Sequence, residues 1–213
     1  MRESNIKNDI YKIIIFLLGI QLFRTIVFIS MTTIFGDDVF TVECIKLCTI
    51  FFIGLILLIV VYKKNISLTL FFISNNPMMI MVYSIISVIV IFMIMTTPAY
   101  TGGYGMKVFI PFLYSVIIIP IFQELIFRGY FWNKLIGDGI ESFKVIIITS
   151  VIFSFWYVLC NLDINGIINL ATLSRKLIIG LIYGIILGGA RFKSRNTFTC
   201  ILCHSIMNMW IGI

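Results

Sequence analysis

Charge is what this chain has least of. Only 12% of its 213 residues are Asp, Glu, Lys or Arg, against roughly 25% in an ordinary soluble domain. A water-facing globule could not cover its surface with so few polar groups. The mean hydropathy of +1.12 points the same way. Histidine is scarcer still, with His204 alone. Catalytic zinc draws three protein ligands, so neither a metal site nor any other cofactor is expected. Nor is a cleavable signal peptide expected. The first apolar run follows Arg2, Lys7 and Lys12, but it is too long and lacks a small-residue cleavage pattern. With no long linker, low-complexity tail or convincing repeat, residues 1–213 read as a single integral membrane domain.

What is abundant is apolar, at 61% of the chain. A membrane helix needs roughly 20 mostly apolar residues. The runs predict an all-α, polytopic bundle of about seven spans: Ile13–Ile34, Leu47–Tyr62, Pro77–Thr97, Val108–Phe127, Val145–Leu159, Leu177–Ala190 and Phe198–Ile213. The run Ile66–Ser74 is too short to cross. The stretch 164–173 is re-entrant or an eighth short span.

Basic residues set the orientation. With the N-terminus inside, the cytoplasmic segments hold eleven: Arg2, Lys7, Lys12, Lys63, Lys64, Arg128, Lys134, Lys144, Arg191, Lys193 and Arg195. The opposite loops hold four, namely Lys46, Lys107, Arg175 and Lys176, together with the acidic Asp37, Asp38 and Glu43. Positive residues favour the cytoplasmic side, so the C-terminus is expected outside a cell membrane. The same charges, scattered over separate short loops, form no single basic face, and nucleic acid is not an expected partner. Richness in Ile, Lys and Asn suggests an AT-rich bacterial genome.

Polar residues inside spans are costly and mark function by default. Arg24, beside Gln21, reads as an interhelical ion pair or a snorkelling side chain. Glu124 and Arg128 are spaced i,i+4 on the fourth span, as are His204 and Asn208 on the last, so each pair shares a helical face. Their depths allow the two pairs to meet. The plain alternative is two polar pairs gluing a bundle. Pro111 and Pro120 can kink the fourth span just before Glu124 and free backbone groups that only a protein interior or a wet cavity satisfies. Gly180, Gly184 and Gly188 read as a packing seam that lets a neighbouring helix approach closely. Cys200, Cys203 and His204 match the Cys-x-x-Cys-His pattern of haem attachment, but the segment starts at the cytoplasmic face within an apolar helix. Coincidence is the better reading, and the five cysteines read as buried free thiols.

Gln123 and Glu124, followed by Arg128 and Gly129, resemble the Glu-Glu-x-x-x-Arg-Gly signature of the CPBP family. This is the family of CAAX-processing and bacteriocin-processing intramembrane endopeptidases, also called Abi. The glycine stripe, a basic turn, and His204 with Asn208 are similar to the family's glycine-rich helix and its His-x-x-x-Asn motif. Phe153 and Tyr157 occupy the place of its Phe-x-x-x-His motif. The likeness covers Pro111 to Met209, leaving 1–107 as three spans without a signature and 108–213 as the family-like core.

The resemblance implies roles by position. Gln123 falls where the family's water-activating glutamate stands, Tyr157 where a histidine helps hold that water, and His204 and Asn208 where the oxyanion is stabilised. Arg128 and Phe153 are supporting residues. An amide at Gln123 cannot serve as a general base, and Tyr157, with an ordinary pKa near 10, substitutes poorly for imidazole. Glu124 could take over, although adjacent helical residues point about 100° apart. Whether the chain is an enzyme is therefore left open by its residues. The leading reading is a catalytically degenerate member that binds a membrane peptide or membrane protein, in bacteriocin immunity or cell-envelope regulation. The alternatives are an active endopeptidase working through Glu124, His204 and Asn208, and a transporter subunit or structural bundle. The oligomeric state is not readable.

Overall fold

A computed structural model describes residues 2–63, 85, 89, 92, 93, 96, 105–160 and 170–211. All its elements are helical, and no strand occurs among the described residues. In lipid, every backbone N–H and C=O must be satisfied without water, and a helix does so within its own segment. In chain order the elements are α1 (Arg2–Phe35), α2 (Val39–Lys63), α3 (Met106–Leu113), a π-helical turn (Tyr114–Ile118), α4 (Ile119–Glu124), a second π-helical turn (Leu125–Phe131), α5 (Trp132–Gly137), α6 (Ser142–Cys160), α7 (Leu170–Ser194) and α8 (Thr197–Ile211).

Four helical runs among the described residues are long and apolar enough to cross a membrane: Lys7–Phe35, Met106–Gly137, Ser142–Cys160 and Leu170–Ser194. The expected spans Ile13–Ile34, Leu47–Tyr62, Val145–Leu159 and Leu177–Ala190 fall inside α1, α2, α6 and α7. The helical run that holds the fourth continues past Phe127 to Gly137 and includes two π turns. The third expected span lies outside the described residues except for helical positions at Ile85, Ile89, Phe92, Met93 and Thr96. The run Ile66–Ser74 lies wholly outside them. Of 164–173, residues 170–173 begin α7, so they belong to a long helix; the rest is outside the described residues.

Helix ends follow local chemistry. Asp38 caps α2, its Oδ2 accepting the Thr41 N–H at 3.1 Å, an N-cap arrangement. Thr41, through its side chain and its backbone N–H, holds the Asp38 carboxyl below its ordinary value. Gly139, at φ +80°, closes α5. The Ile140 N–H returns to Leu135 O and the Gly139 N–H to Ile136 O, the Schellman pattern that needs a left-handed residue.

Two compact units divide the chain, Met1–Leu22 with Ile126–Arg195, and Phe23–Leu125 with Asn196–Ile213. In the first unit, α6 and α7 form the main packing, and α5 rests on α6. The glycine stripe is their seam. A Cβ on Gly180 would stand 2.9 Å from Ser154 Cα, one on Gly184 2.6 Å from Ser150 Cα, and one on Gly188 3.1 Å from Ile146. Around Phe127, the rings of Phe153 and Phe131 pack edge-on at 5.1 and 5.5 Å. Gln21 ties α1 to this unit by donating to Leu159 O at 2.9 Å, supplying a partner for a carbonyl in the last turn of α6.

In the second unit, α2 packs against α3 and the first π turn, and α8 against the π turn and α4. Phe112, Val116, Leu202 and Met209 form a buried core, with Met93, Ile117, Phe198 and Ile206 packed around it. The sides of the helices are the reverse of a soluble protein. Phe52, Phe143 and Phe155 are all more than half exposed, while Glu124, Arg128 and His204 are buried. Apolar outside and charge inside is the arrangement a bilayer demands.

Candidate active site

The second unit brings together four of the residues singled out by sequence. Helix α8 starts from Asn196, whose Oδ1 accepts the Phe198 N–H at 2.8 Å. Its i,i+4 spacing then sets His204 and Asn208 on one face. His204 Nδ1 lies 2.8 Å from Glu124 Oε1, and the two side chains are 1% and 0% exposed. Asn208 Nδ2 donates to Ser115 O at 2.7 Å. The later residue of α8 meets the earlier residue of the facing run, so the two helices are antiparallel here. Gln123 is buried as well. Its Oε1 has no hydrogen-bond partner among the described residues.

Both prolines act on the helix that carries this cluster. Pro111 lies inside α3 and Pro120 in the first turn of α4, with the first π turn between them. A proline removes one backbone donor and crowds the carbonyl four residues back. A π turn, closing with bonds to the fifth residue back, is one way for the run to continue. Sequence showed the kink but not the extra residue of the turn.

Arg128, Phe153 and Tyr157 belong to the first unit. Arg128 Nη2 donates to Gly184 O at 3.0 Å, and the guanidinium stands 4.7 Å over the Phe153 ring. The close approach at the glycine seam is what exposes that carbonyl to the arginine. Tyr157 stacks between Phe153 and Tyr183, with centroids 6.4 and 6.0 Å away. Arg191, read from sequence only as a topology charge, is buried. Its Nε donates to Arg128 O at 3.0 Å and its Nη2 to Asn133 Oδ1 at 3.1 Å. Its place on the last turn of the glycine-rich helix, facing the stripe's register, was the available signal. Arg24 is half-buried. All five cysteines are free thiols, but only Cys200 is buried; Cys44, Cys160 and Cys203 are half-buried and Cys48 is exposed.

Chemically, a carboxylate bonded to Nδ1 of a buried imidazole orients the ring and makes Nε2 its basic nitrogen. The pair can therefore hold or move a proton, while the neighbouring amide at Gln123 can only accept and donate hydrogen bonds. Among the described residues no three His, Cys, Asp or Glu side chains gather as metal ligands would.

Residues 105–210 match the family described as Rce1-like, type II CAAX prenyl endopeptidase Rce1-like. Over that region the chain belongs to this family, in agreement with its likeness to the CPBP endopeptidases. It is a membrane protein of the CAAX-protease kind. No curated protein and no solved structure matches it.

Proposed function

We propose that this chain is a catalytically degenerate relative of the CAAX endopeptidases that binds a membrane peptide or a membrane protein segment without hydrolysing it. The observation that carries this reading is Gln123. It stands at the position of the family's water-activating glutamate, is 3% exposed, and keeps an Oε1 without a hydrogen-bond partner among the described residues. A buried acceptor left unmade costs about 1–3 kcal/mol. A peptide N–H reaching that oxygen would remove the penalty, and an amide can do no proton chemistry on the peptide it holds. Tyr157, stacked between two rings, is equally unable to replace an imidazole. Loss of a general base removes about 10²–10⁴-fold of rate. The family likeness suggests bacteriocin immunity or regulation of a cell-envelope protein as the setting. The proposed placement has about seven spans, N-terminus in the cytoplasm and C-terminus outside, from the eleven-to-four bias of basic residues.

A second reading is favoured by the 2.8 Å Glu124–His204 pair: residual hydrolysis, with His204 activating water and Glu124 orienting it. An internally quenched prenylated CAAX peptide separates the two. The purified protein in lipid nanodiscs is expected to bind the peptide and leave it intact, and Gln123→Glu/Tyr157→His is expected to gain cleavage. Cleavage by the wild type that disappears in Glu124→Ala and His204→Ala would show the degenerate reading to be wrong.

A further inference from the structure

Ser115 carries a carbonyl that its own helix does not satisfy. In an α-helix it would accept the N–H of Ile119, four residues on. In the first π turn, Ile119 instead donates back to Tyr114 O. The π-helical donor for Ser115 would be residue 120, five residues on. That residue is a proline and has no N–H. The carbonyl is thus stranded from both helical geometries. Its neighbours Phe112 and Val116 lie in the apolar core of the unit, where an unmade hydrogen bond is costly. Asn208 Nδ2 reaches it at 2.7 Å from α8.

We infer that Asn208 is a positioning residue whose side-chain amide replaces the N–H that Pro120 lacks. It thereby pins the π turn leading to Gln123 and Glu124 against the helix that carries His204. Two bonds then register these antiparallel helices, Asn208 to Ser115 O at one end and His204 to Glu124 Oε1 at the other. The role is the same whether the cluster holds a peptide or cuts one. It is distinct from oxyanion stabilisation, since one of the two amide N–H groups goes to the protein's own backbone.

Pro120 supplies the test. In Pro120→Ala the missing N–H returns. If the turn stays π-helical, residue 120 donates to Ser115 O; if it relaxes to an α-helix, Ile119 does, and Glu124 turns away from His204, which moves the His204 resonances of Pro120→Ala itself. Either way Asn208 becomes dispensable. The measurement is a double-mutant cycle on the full chain in detergent micelles, reading thermal unfolding together with the imidazole nitrogen resonances of His204. As the sole histidine, it gives one assignable ring after ¹⁵N-histidine labelling. Asn208→Ala is expected to lower the unfolding midpoint by roughly 5 °C and to shift the His204 resonances. In the Pro120→Ala background both effects are expected to shrink to about a third or less. Equal effects in the two backgrounds, or His204 resonances unmoved by Asn208→Ala, would overturn the inference. Should Asn208→Ala not accumulate as folded protein, the double variant is expected to accumulate, and its failure to do so counts equally against the role.

Discussion

Glu124 and His204, far apart in the chain, meet through a 2.8 Å contact between side chains closed to solvent. Removing one partner takes from the other a bond made where water is excluded. Glu124→Leu or His204→Phe alone is expected to cost about 3–5 kcal/mol. The double variant is expected to cost clearly less than the sum, because the bond between the two is then lost only once. Chemical unfolding in detergent measures both. Strict additivity would mean that the two side chains do not act as a pair.

The seam between α6 and α7 makes a sharper steric prediction. Gly184→Ala places a methyl 2.6 Å from Ser150 Cα, where backbone rather than a flexible side chain must move. The expected loss is about 1–3 kcal/mol, and it also disturbs the carbonyl that Arg128 uses. Gly189→Ala meets nothing within 4 Å and serves as the control. It should be neutral or slightly stabilising, since alanine favours helix by about 1 kcal/mol. Equal melting temperatures for the two variants would contradict the seam.

Arg191 is expected to resist its usual conservative replacement. Its Nε and Nη2 serve two acceptors in different directions, Arg128 O and Asn133 Oδ1. A lysine offers one point charge and cannot hold that fork. Arg191→Lys should lose about 1–3 kcal/mol and approach Arg191→Met in stability. A lysine variant as stable as wild type would show the fork to be dispensable.

A pH dependence is expected at the start of α2. The Asp38 carboxyl ionises below its ordinary value of 3.8 because it accepts from Thr41. A depressed folded value means that the cap is fully present above the ordinary value and is lost as pH falls through the lower one. Amide-exchange protection of Thr41, corrected for intrinsic rates, should therefore be flat from neutral pH down to the mid-4 range and fall below about 3.8. In Asp38→Asn, which keeps a neutral acceptor, protection should no longer vary with pH. A Thr41 amide whose protection ignores acid in the wild type would remove Asp38 from this role.

Residues that stand out chemically were legible before any coordinates. Glu124 and His204 are costly in apolar runs, their i,i+4 companions gave each a face, and their depths allowed them to meet. The glycine stripe was legible for the same reason, because its spacing is a contact surface. What could not be read were relationships set by backbone phase. A π turn has no composition of its own, and Pro120 marks a missing donor without saying which carbonyl suffers. Nor does an arginine at the end of an apolar run disclose that it turns inward, as Arg191 does, rather than to the aqueous side. The helix outruns the fourth expected span: hydropathy falls at Arg128, whereas Gly184 O and the Phe153 ring receive that charge within the protein.

The turn at Tyr114–Ile118 has a consequence for the chemistry two turns further on. It holds one more residue than an α-helical turn would, and so sets the angular phase of every side chain after it. Wound as an α-helix, the following run would advance by about one position, roughly 100°. The direction now taken by Glu124 would then fall to Gln123. Whether an acid or an amide stands opposite His204 is in this sense decided upstream of both residues, by how the backbone counts.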